Sequence, residues 1–80
     1  MYGEKAIVTV HLSKMVNGSS MARIYKAGYE MLIVLPQFVI VRAQGFDKSE
    51  QTKIIIALAR EKESLLEKAS MQNYEQDIEI

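Results

Sequence analysis

Eighty residues make room for one domain, 1–80, with a modest core. The absence of cysteine excludes a disulfide or a thiolate-bound metal as a brace for it. Hydrophobic residues at 49% exclude a disordered chain, and formal neutrality argues against a generic polyanion binder.

In chain order, Ala6–Leu12 (AIVTVHL) is β-branched and apolar and predicts a strand, with Val8, Val10 and Leu12 on one face. Its near-continuous hydrophobicity suggests burial on both faces. Residues 13–20 form a loop, with Asn17-Gly18 as the turn signal. Met21, Ile24, Tyr25, Gly28, Tyr29 and Leu32 fall at helical spacing behind a Ser19 or Ser20 cap, which predicts a helix from about Ser20 to Leu32. Gly28 and the LIVL that closes the segment leave a competing reading, a strand pair turning near Gly28. The apolar run Met31–Val41 is broken by Pro36 and is far shorter than the ~20 residues of a membrane helix. Phe38–Ala43 predicts a second strand, with Pro36 before its start.

Asp47, with Glu50 three residues on, has the outline of a capping box and opens the clearest helix, striped by Ile54, Ile55, Leu58, Leu65, Leu66 and Ala69. Ile54 to Ala59 is apolar nearly all round, so one side can pack on a sheet and the other needs a second cover. The tail, Tyr74–Ile80, alternates: Tyr74, Ile78 and Ile80 on one face, Glu75, Asp77 and Glu79 on the other.

No constellation for catalysis is visible. His11 is the only histidine, stands in a strand without a sequence-near acid, and reads as a structural or surface residue. Glu63 and Glu67 are spaced to share a hard cation, but a solvated helix face accounts for them. Capping explains Ser19, Ser20, Asp47 and Glu50, and core packing explains the methionines and the Tyr25/Tyr29 pair. The expectation is therefore a non-enzyme with no metal and no cofactor. The N-terminal MYGEKAIV has no long apolar signal region, so a cytoplasmic or otherwise intracellular protein without a membrane partner is expected.

The strand–loop–helix–strand–helix–strand order, with Phe38-Val39-Ile40-Val41-Arg42-Ala43-Gln44-Gly45 feeding the second helix, resembles the Alba family of small chromatin and RNA-binding proteins. Arg42, Ala43 and Gly45 fit that family's basic, Ala, Arg, Gly run, and Lys14 falls in its basic first loop. The chain departs from the family at Met15, Gln44 and Phe46, where basic residues are expected, and in its acidic, shortened C-terminal arm. The resemblance implies an α/β fold, a β-α-β-α-β two-layer sandwich. Separately, the near-continuous hydrophobicity of Ala6–Leu12 and Phe38–Ala43, joined through a helix, predicts that these two strands are adjacent, central and parallel. The alternative is an antiparallel β meander with one C-terminal helix.

Two functions follow. Residues 1–48 carry a net charge of +3 and residues 49–80 carry −3. A nucleic-acid-binding module would contact DNA or RNA phosphates through Lys14, Arg23, Lys26 and Arg42 on one basic face. A non-enzymatic protein-interaction or assembly module would dimerise through the second helix, at Ile54, Ile55, Ile56 and Leu58.

Overall fold

The structure, a computed structural model, describes residues 7–71 and 73–80. Strands β1 (Ile7–Lys14), β2 (Ser20–Lys26), β3 (Tyr29–Leu35) and β4 (Val39–Gln44) come first, then helices α1 (Lys48–Arg60) and α2 (Lys62–Ala69), then strand β5 (Tyr74–Glu79). The sheet order is β4-β3-β2-β1-β5, and every neighbouring pair is antiparallel. The chain is thus a small α/β domain built on a four-strand meander, with β5 returning beside β1.

The helix expected over 20–32 is instead the β2–β3 hairpin. Its two-residue loop is Ala27-Gly28, both at positive φ (46° and 86°), between the paired residues Lys26 and Tyr29. Two consecutive left-handed residues give the twist that matches a tight hairpin. The alternating burial of Ser20, Ala22 and Ile24, then Met31, Ile33 and Leu35, lets period two win over the helical spacing. The β-α-β-α-β order therefore does not hold. Strands β1 and β4 are not adjacent or parallel either: β2 and β3 lie between them, and β4 is an edge. Local hairpins need no long crossover, which a parallel pair would require.

The expected capping box is present. The Asp47 carboxylate accepts from the Glu50 backbone N–H at 2.8 Å, and the Glu50 carboxylate accepts from the Asp47 N–H at 3.2 Å. The single long helix that the stripe predicts is broken at Glu61 (φ −117°, ψ 26°) into α1 and α2. Between Leu58 and Leu65 the positions that would continue the stripe are Glu61 and Lys62, so no apolar side chain ties that turn to the sheet.

The core lies between one sheet face and the helices. Val8, Val10, Leu12, Ala22, Ile24, Met31, Ile33, Leu35 and Ile78 meet Phe46, Ile54, Leu58, Leu65 and Ala69. Strand β1 is buried on one face only: Thr9 and His11 are half-buried and Ile7 is exposed. The tail alternates as its sequence predicts, with Ile78 buried and Glu75, Asp77 and Glu79 exposed. No helix among the described residues is long and apolar enough to cross a membrane.

Candidate functional site

The strand register defines what the helix-free face carries. One row across the sheet reads Arg42, Leu32, Arg23, His11, Glu75, each the Cα partner of the next. The neighbouring row reads Gln44, Glu30, Tyr25, Thr9, Asp77. On the other side lie Val39, Val34, Met21 and Ser13. Cross-strand partners share a face, because side chains alternate along every strand. A bulge keeps Arg42 in register on this face: Leu32 pairs with Arg42 and Ile33 with Ile40, which leaves Val41 without a partner.

The four cations expected on one basic surface are divided. Arg23 and Arg42 lie on the open face, two strands apart, with Leu32 between them. Lys26 belongs to the helix side of the sheet. Its Nζ sits 3.3 Å from the Glu50 carboxylate and 5.9 Å from the Tyr29 ring centroid, so its charge is already met. Lys14 is exposed at the other end of the sheet, beside the 15–19 loop. The alternation that a helix reading of 20–32 hides is what separates Lys26 from Arg23: they are three apart in sequence, hence on opposite faces of a strand.

Arg23 is held in place on the face. Its guanidinium donates to the Tyr25 hydroxyl at 3.3 Å and lies 3.5 Å from the Glu30 carboxylate. The Tyr25 hydrogen bond first, and the Tyr25 and Glu30 charges with it, raise the Arg23 pKa above the usual arginine value. The Arg42 guanidinium donates to Gln44 at 3.4 Å, and Thr9 Oγ1 donates to Asp77 at 3.0 Å. The face is thus polarised: Arg42 stands at the β4 edge, and Glu75, Asp77 and Glu79 stand at the β5 edge. Those acids belong to the negative half of the chain, yet they share the face with the two arginines.

The four residues expected at a helix-mediated contact also separate. Ile54 and Leu58, each 1% exposed, are core residues covered by the protein's own sheet. They point to the sheet because they are one turn apart on the side of α1 that faces it. Ile55 is half-buried, and only Ile56, at 48% exposure, faces outward. A shallow groove runs there between Ile40 of β4 and Lys48, Gln51, Thr52, Ile55 and Ile56 of α1.

Among the described residues no group of three His, Cys, Asp or Glu is placed to hold a metal ion. No family model, curated protein or solved structure matches the chain. None of these comparisons identifies a relationship to the Alba family.

Sequence reasoning missed Leu32, Tyr25, His11 and Glu75 as members of one surface. The signal was available in the period-two alternation of residues 20–26 and 29–35 around Ala27-Gly28.

Proposed function

We propose that this domain is a non-enzymatic protein-interaction and assembly module. The observation that carries the reading is the open sheet face, where half-buried Met21, Tyr25, Leu32 and Val34 lie among fixed charges with no described element over them. A sheet with one face on a core and one face of mixed apolar and polar groups is stable in water, yet offers a broad, preformed surface. The exposed apolar side chain of Val39 (53%) extends that surface to its β4 edge. Light scattering across micromolar to millimolar concentration tests it. A mass rising toward twice the chain mass supports assembly; a constant single-chain mass contradicts it.

Nucleic-acid binding is the second reading, favoured by one observation: Arg23 and Arg42 flank Leu32 on a face that also presents Tyr25, a ring on which a base can stack. Two cations give a logarithmic salt slope of about −2 on duplex DNA, not the roughly −3 to −4 of four contacts. The carboxylates of Glu30, Glu75, Asp77 and Glu79 on the same face oppose it. A titration with duplex DNA and single-stranded RNA at low salt decides: a slope near that value supports this reading, and no binding ends it.

A further inference from the structure

We infer that the partner on the open sheet face is a second copy of this chain, related by a twofold axis that runs along the strands. The inference rests on the assembly reading above and specifies its partner and geometry.

The charge layout carries it. Across the central row the order is Arg42, Leu32, Arg23, His11, Glu75. A twofold axis parallel to the strands, lying between two stacked faces, reverses this order in the second copy. Arg42 of β4 then meets Glu75 of the other copy's β5, and the same contact repeats on the other side. Leu32 meets His11. In the neighbouring row Gln44 meets Asp77, and Tyr25 lies near its own counterpart. Among the charged residues only Arg23 faces itself, and its charge is offset within each copy by Glu30 at 3.5 Å. Sheets stacked this way cross at about −30° and ~10 Å, which leaves room for these side chains.

The size is suitable. Five strands of six to eight residues make a face of about 24 by 20–26 Å. With side-chain relief, that approaches the roughly 800 Å² per partner of a standard interface.

The sheet's edges are poor alternatives. A bulge at Val41 interrupts β4, and Glu75, Asp77 and Glu79 line β5, so neither edge readily adds a strand from another copy. A twofold about β4 also brings no cation of the second copy to Glu75.

The test is a pair of charge reversals, Arg42→Glu and Glu75→Arg, both at exposed positions. In the proposed dimer either variant alone puts like charges together at two symmetric contacts. Each should weaken self-association at least tenfold by light scattering, with an unchanged circular dichroism spectrum. Mixed together, the two variants should form a heterodimer. The glutamate introduced in the R42E copy then meets the arginine introduced in the E75R copy, while the native Glu75 of the former meets the native Arg42 of the latter. The double variant R42E/E75R should recover self-association. Variants that self-associate like the parent, or a mixture that stays monomeric, overturn the twofold face contact. If the parent associates, the reversals change nothing and Ile56→Asp dissociates it, the assembly reading stands and only this placement fails. A parent that stays monomeric to millimolar concentration fails both.

Discussion

Gly45 has no room for a side chain. Its φ is +92°, and an added Cβ would lie 2.5 Å from Cδ1 and 2.7 Å from Cγ of Tyr29. The Tyr29 ring in turn packs edge-on against Phe46, with centroids 5.4 Å apart, at the corner where β4 passes into α1. Gly45→Ala therefore combines left-handed backbone strain with a clash near the stem of a packed ring. It should cost about 1–3 kcal/mol in urea denaturation; an unchanged midpoint would show that the corner relaxes freely. The same scale explains Lys26. A single Glu50 side chain accepts from the Asp47 N–H through one oxygen and meets Lys26 through the other. A cation engaged in tying the β2–β3 hairpin to the start of α1 is not a free phosphate contact.

At the scale of elements, α1 divides its apolar residues between two roles. Leu58→Ala should destabilise by about 2–5 kcal/mol, because its side chain is fully enclosed by sheet and helix. Ile56→Ala should stay within about 0.5 kcal/mol, as its side chain is half in solvent. Thermal denaturation of both variants checks the pair, and comparable losses would mean that the helix is rotated from the orientation described. Much of this was readable in the sequence: β1, β4, the Asp47 capping box and the alternating tail all follow from local pattern. The β2–β3 hairpin was legible only as the competing strand pair turning near Gly28, because Met21, Ile24, Tyr25 and Leu32 also satisfy helical spacing. What decides there is the turn: Ala27-Gly28 takes two positive φ values, and alanine does not advertise that conformation as asparagine would. The break at Glu61 was likewise hidden, since the stripe from Ile54 to Ala69 has no glycine or proline to interrupt it. The candidate surface was legible only in its parts. Arg23 and Arg42 stand out as cations, but the acids at the far edge of their face come from β5, and nothing local links residue 42 to residue 75.

For the whole molecule, the uneven charge of the two halves becomes a spatial arrangement. The meander brings Arg42 to one edge of the sheet, and the helices return the chain so that β5 sets its acids at the other. Net neutrality then conceals a polarised face, suited to meeting its own reverse. This is why assembly is a better account than polyanion binding: acids beside the arginines oppose a phosphate backbone, yet complement a second copy. The most direct measurement is a dilution series followed by backbone amide NMR, from millimolar to micromolar concentration. The account predicts concentration-dependent shifts concentrated at His11, Arg23, Tyr25, Leu32, Arg42 and Glu75, with α1 near Ile56 unchanged. Shifts confined to α1, or none at any residue, would contradict it.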